Sequence, residues 1–92
     1  ALIYACGMGH TNVAVRLIKA GANIDAAFAN ALTPLMWAAG QGHVETVKAL
    51  LDLGANTNLK DDRGLTALEI ARVNKKADVV GVFAAFKSTP LK

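Results

Sequence analysis

From Val44 to Asp52 the apolar residues Val44, Val47, Leu50 and Leu51 fall on one helical face, while Glu45, Lys48 and Asp52 turn away from it. A shorter apolar run, Leu35–Ala39, stands just before. Thr33 suits an N-cap there, and Pro34 suits a first helical position, whose N–H has no intrahelical partner anyway. Gly40-Gln41-Gly42 is expected to break the first helix. Gly54 is expected to end the second in a left-handed residue, with Ala55 closing the cap by an apolar contact. The stretch Thr33–Asn58 therefore predicts two antiparallel helices joined by a tight turn, the first too short to stand alone.

Such a unit cannot bury its own apolar face and needs copies on either side. Shifting the chain by 33 residues supplies them. Leu2, Ala5, Gly7, Gly9, His10, Leu17, Gly21, Ala22 and Asn23 meet Leu35, Ala38, Gly40, Gly42, His43, Leu50, Gly54, Ala55 and Asn56. Those are nine identities in the first 25 residues, where chance from average usage gives roughly one or two. In the other direction Leu32-Thr33 meets Leu65-Thr66, Leu35 meets Leu68, Ala38 meets Ala71 and Val47 meets Val80. A 33-residue period with a T-P-L-x-x-A core is the mark of a helical repeat array.

The pattern predicts helices at Leu2–Cys6 and Asn12–Ala20, the latter with Val13, Leu17 and Ile18 as its core face. An outer helix is expected from about Ala77 to Phe86, with Val79, Val80 and Phe83 inward. Thr66 and Glu69 form a capping box, a role for which the second copy offers only Met36. Asp62-Arg63-Gly64 is a turn signal. Ala31 stands where Gly64 does, and Phe28 where Asp61 does. Tyr4, Trp37 and Ile70 share one repeat position, which favours a core role for Trp37.

At Thr33-Pro34-Leu35, Ala38-Ala39, Gly42-His43, Val47, Leu50-Leu51 and Gly54-Ala55-Asn56 the chain resembles ankyrin-repeat proteins. The third copy carries the resemblance in Gly64-Leu65-Thr66-Ala67-Leu68 and Ala71. The resemblance implies an all-α solenoid of stacked helix–turn–helix units joined by β-hairpin-like fingers. It divides one domain, residues 1–92, into repeats at about 1–27, 28–60 and 61–87, with a tail at 88–92. The first copy lacks its N-cap and preceding loop, and ALIYAC is apolar on nearly all sides. It is therefore expected to be an internal repeat cut at its start, or one that follows a disordered segment. In the third, Lys75-Lys76 and Lys87-Ser88 replace the glycine motifs, as suits a C-terminal capping repeat.

The resemblance further implies that another protein is bound through the fingers and the concave groove. Carried over by position, that surface comprises Met8, Phe28, Asn30, Leu32, Gln41, Lys60, Asp62, Arg63, Leu65 and Asn74. It implies no cofactor and no small-molecule substrate. It also implies that His10 and His43 cap the second helix of each pair and bond backbone. A structural spacer within a larger scaffold is the alternative, and a basic surface for nucleic acid or lipid headgroups a further one.

Composition bounds the remaining choices. Ninety-two residues, 53% of them hydrophobic and mostly Ala and Leu, allow one small domain. No apolar run is long enough to span a membrane. The net charge of +3 is scattered, without the basic stripe and interleaved aromatics that nucleic acid needs. Cys6 excludes an internal disulfide. Cys6 and His10, four residues apart, could make a nucleophile pair or half a metal site on one helix. Gly7 and Gly9 are expected to interrupt that helix, and His10 recurs as His43, so the period already explains it. No carboxylates pair as a catalytic acid and base would. The Gly-x-Gly segments repeat as turns and do not form phosphate loops.

Overall fold

A computed structural model describes residues 2–27 and 31–88, with side chains through Phe86. Six helices follow one another: α1 (Leu2–Gly7), α2 (Thr11–Lys19), α3 (Pro34–Gln41), α4 (Val44–Asp52), α5 (Ala67–Val73) and α6 (Ala77–Ser88). They form three hairpins, α1–α2, α3–α4 and α5–α6. The first helices stack as one layer, α1 on α3 on α5, and the second helices as another, α2 on α4 on α6. Among the described residues there is no strand. Each hairpin is too small to hide its apolar face, so the core is the row of contacts between hairpins.

The first helix of each pair starts as the sequence dictates. Thr33 and Thr66 are extended and cap α3 and α5 through their hydroxyls. At α5 the box is conventional: Thr66 Oγ1 accepts from the Glu69 N–H at 3.4 Å, and Glu69 Oε1 accepts from the Thr66 N–H at 2.9 Å. At α3 the reciprocal acceptor is the sulfur of Met36, 3.4 Å from the Thr33 N–H. A buried thioether can accept weakly at this position, where a carboxylate would be costly.

Two expectations about the helices need correcting. Gly7 and Gly40 do not break α1 and α3; both lie inside them. Their missing side chain serves the neighbouring repeat. A Cβ on Gly7 would fall within the ring of Trp37, and one on Gly40 would meet Ile70 Cγ2 at 3.1 Å. Nor is Val13 a core residue: it is 48% exposed, and Ala14 is the buried residue of α2. Val13 shares its repeat position with Thr46 and Val79, both fully buried against the preceding hairpin. Thr46 Oγ1, for example, lies 2.7 Å from Thr11 Oγ1. Among the described residues nothing precedes α1–α2, so the same position is open at Val13. Leu17 and Ile18 pack against the core as expected, as do Val79, Val80 and Phe83 on α6.

Five helices end in the same pair of backbone bonds. In α3 the Gly42 N–H reaches Ala39 O and the His43 N–H reaches Ala38 O. The left-handed residue of this motif is Gly9, Gly21, Gly42 and Gly54 in turn, but at the end of α5 it is Lys75, at φ 60°. Lys75 still makes the bond to Arg72 O at 3.1 Å, and Lys76 the bond to Ala71 O at 2.8 Å. A side chain at this φ costs roughly 1–2 kcal/mol, partly offset by the unfolded-state freedom that glycine would add. Lys75→Gly should therefore raise the unfolding free energy by about 0.5–1 kcal/mol, read as a higher urea midpoint at unchanged slope.

Candidate functional site

The second finger, residues 56–65, is the best-defined loop. Its conformation follows from one carboxylate. Asp61 Oδ1 accepts from the N–H groups of Arg63 at 2.9 Å and Leu65 at 3.0 Å. Its Oδ2 accepts from Arg63 Nε at 3.0 Å and Nη2 at 2.7 Å. The backbone closes the same turn, Asp61 N–H to Leu65 O and Gly64 N–H to Asp61 O, both at 2.9 Å. The Asp61 side chain is only 1% exposed while that of Arg63 is 57% exposed. Burial by itself would push the Asp61 carboxyl up; the bonds from Leu65 and Arg63 outweigh it and hold the group below its ordinary range. Gly64 takes φ 82° at this turn, and Ala31, its counterpart in the first finger, takes φ 61°.

The fingers are also tied to one another. Asn23 Oδ1 accepts from the Asp25 N–H at 3.0 Å, and Asp25 Oδ1 accepts from the Asn56 N–H at 2.9 Å. Asn56 Oδ1 in turn accepts from the Asn58 N–H at 2.8 Å. A ladder of short polar side chains thus fixes where one finger begins relative to the next.

Of the ten residues carried over as a contact surface, Lys60, Asp62 and Arg63 are exposed on this finger. Met8, Gln41 and Asn74 are exposed at the ends of the first helices, one per repeat. Asn74 also donates its Nδ2 to Gly40 O at 3.0 Å, which clamps the third hairpin to the second. Leu32 and Leu65 are half-buried and pack against the core. Phe28 and Asn30 lie outside the described residues.

The histidines stand at the N-cap positions, and His43 bonds backbone as expected, but neither side chain caps its helix. His43 precedes α4 but makes no side-chain cap; its Nε2 lies 3.0 Å from Gly7 O in the preceding hairpin. A carbonyl can only accept, so Nε2 carries the proton. Capping would have pointed the ring along its own helix, whereas bare Gly9 leaves room for it between repeats; a Cβ there would lie 2.8 Å from His43 Nδ1. His10, the same position in the first hairpin, is exposed and likewise makes no cap.

Among the described residues the candidate catalytic groups are not brought together. Cys6 is wholly buried, and burial pushes its thiol up to about 11, so it holds no reactive thiolate. The N–H groups of Gly9 and Gly42 are spent on helix carbonyls and cannot cradle a phosphate. Among the described residues no three His, Cys, Asp or Glu side chains gather as a metal site would require. No helix there is long and apolar enough to cross a membrane.

The family model for ankyrin repeats, in three copies, matches residues 2–88, nearly the whole chain. The chain belongs to the ankyrin-repeat family. No curated protein matches it. Ankyrin repeats generally serve as protein–protein interaction modules, and this is the broad role the family assigns. One feature of this ankyrin stack escaped the sequence reading. A shallow groove of about 250 Å³ runs between α4 and α6, lined by Lys48, Leu51, Asp52, Val82, Ala85 and Phe86. Phe86 is one of the few large apolar residues left exposed there. The clue in the sequence was its helix register, which places Val82 and Phe86 four apart on one side.

Proposed function

We propose that this ankyrin array binds another protein through the second finger and the exposed ends of its first helices. One observation carries the reading. Lys60, Asp62 and Arg63 are presented on a turn already locked by a buried carboxylate. A preformed loop has little ordering cost to meet on binding. Arg63 spends Nε and one Nη2 donor on Asp61 and keeps the outer edge of its guanidinium for a partner's carboxylate or carbonyl. Among the described residues neither Lys60 nor Asp62 has a side-chain partner, and both are exposed. Met8 and Gln41 extend the same surface across the repeats. The protein works as a rigid binding surface.

The test introduces a photo-crosslinking residue at Asp62 or, on the outer layer, at Glu45. Partner capture from Asp62 and not from Glu45 is the expected result. The double reversal Lys60→Glu, Asp62→Lys leaves the Asp61 clamp intact and should weaken binding at least about tenfold, as loss of one or two desolvated contacts does. Equal capture from both positions would overturn the reading.

A further inference from the structure

We infer that the groove between α4 and α6 is the site of a two-fold pairing between two copies of this chain. Its walls come from the second helices of two successive hairpins, so it lies along the outer layer and not at either end of the stack. Within α6 no charged residue stands from Val79 to Phe86. Where α4 carries Lys48 and Asp52, α6 has Gly81 and Ala85, and all four are exposed. A surface helix normally turns a charged face to water. Phe86, 44% exposed, continues the apolar side. Its counterpart in the second hairpin, Leu53, is 36% exposed although a hairpin follows it. The exposure of Phe86 therefore belongs to the outer surface and not to a missing neighbour.

The patch carries both halves of its own complement. A two-fold axis brings the same surface to both sides, so every feature must find its match on that surface. Phe86 projects beside a groove of about 250 Å³. That exceeds the cavity of about 150 Å³ in which a benzene ring fits. Lys48 and Asp52 stand one helical turn apart on the rim, and neither makes an ion pair among the described residues. With the two chains antiparallel, Lys48 of each faces Asp52 of the other, and Phe86 of each enters the other's groove. The corresponding pair on α2 is Val15 and Lys19, which offers no such match. An extended peptide is a poor occupant, because both walls are helices whose backbone groups bond within themselves. A second α4–α6 pair brings its own backbone bonds already made. The pairing uses no residue of the fingers, which stay open to a partner protein.

Sedimentation of the full chain over micromolar to millimolar concentration should show a monomer–dimer equilibrium. A dissociation constant of about 10–100 µM is expected for so small an interface. Phe86→Glu should weaken pairing at least about tenfold, with the urea midpoint of the dilute protein unmoved. Lys48→Asp alone and Asp52→Lys alone should each weaken it at least about fivefold, because each sets like charges opposite one another. Mixed in equal amounts, those two variants should pair with each other about as tightly as the parent chain pairs with itself. The double exchange within one chain should restore pairing as well. A monomer throughout the range, a dimer indifferent to Phe86→Glu, no recovery in the mixture, or a dimer abolished by Asp62→Lys would each overturn the inference.

Discussion

Gly7→Ala should destabilise the protein by about 2–4 kcal/mol, although alanine is normally the better helix residue. In an exposed helix the change gains roughly 0.5–1 kcal/mol. Here the sign reverses because the new methyl would lie inside the Trp37 ring. Overpacking of this kind typically costs about 1–3 kcal/mol, occasionally more. Relief by a backbone shift is restricted, since Gly7 O is held by His43 Nε2. The ring would have to leave its place between α1 and α3, and the first hairpin would loosen from the second. The measurement is a urea titration, supported by the Trp37 emission spectrum. A partner variant makes the cause separable: with Trp37→Ile, Gly7→Ala should cost less than about 1 kcal/mol. At the corresponding glycine of the next interface a Cβ on Gly40 would lie 3.1 Å from Ile70 Cγ2, a tight approach that a shift of a few tenths of an ångström relieves. A neutral or stabilising Gly7→Ala in the unaltered background would mean that the first helices do not stack as described.

The same glycine shows why the sequence was legible in some respects and opaque in others. Whatever is decided within one hairpin could be read directly. The Thr66–Glu69 box, the left-handed Gly54 and the inward set Val47, Leu50 and Leu51 depend on neighbours a few residues away. Whatever is decided between hairpins could not be read from one copy. Gly7 and Gly40 resemble helix breakers locally, and only the ring or branched side chain seated against them gives the real reason for glycine. Val13 looked like core because its apolar character is real; what it lacks is a neighbour. His43 was assigned to its own helix, but its hydrogen bond runs 36 residues back along the chain. The second finger was legible to the same degree. Position alone placed Lys60, Asp62 and Arg63 in the finger, yet it could not show that Asp61 is buried and fixes the turn through Arg63 and Leu65. Nor could it show that Asn74 is engaged in clamping Gly40.

Asp61→Ala should cost about 2–4 kcal/mol at neutral pH, a cost that shrinks in acid. The substitution leaves the N–H groups of Arg63 and Leu65 without their acceptor and frees the Arg63 guanidinium. Each buried group left unpaired costs about 1–3 kcal/mol, reduced here because Arg63 itself can return to water. The pH dependence follows from the direction of the Asp61 shift. Its folded carboxyl is held below the ordinary range, so the unfolded chain binds a proton first as pH falls. The stabilisation is fully present above the unfolded carboxylate value of about 3.9. It is lost as pH drops from there through the lower folded value. Denaturant midpoints of the parent and Asp61→Ala proteins, measured from pH 7 down to pH 2, should therefore converge at the acid end. Asp61→Asn retains one acceptor for the turn and loses the charge, so it should fall between the two at pH 7. A gap between parent and Asp61→Ala that stays constant over the whole range would show that the carboxylate is not what locks the finger. The preformed binding surface proposed above would then lose its physical basis.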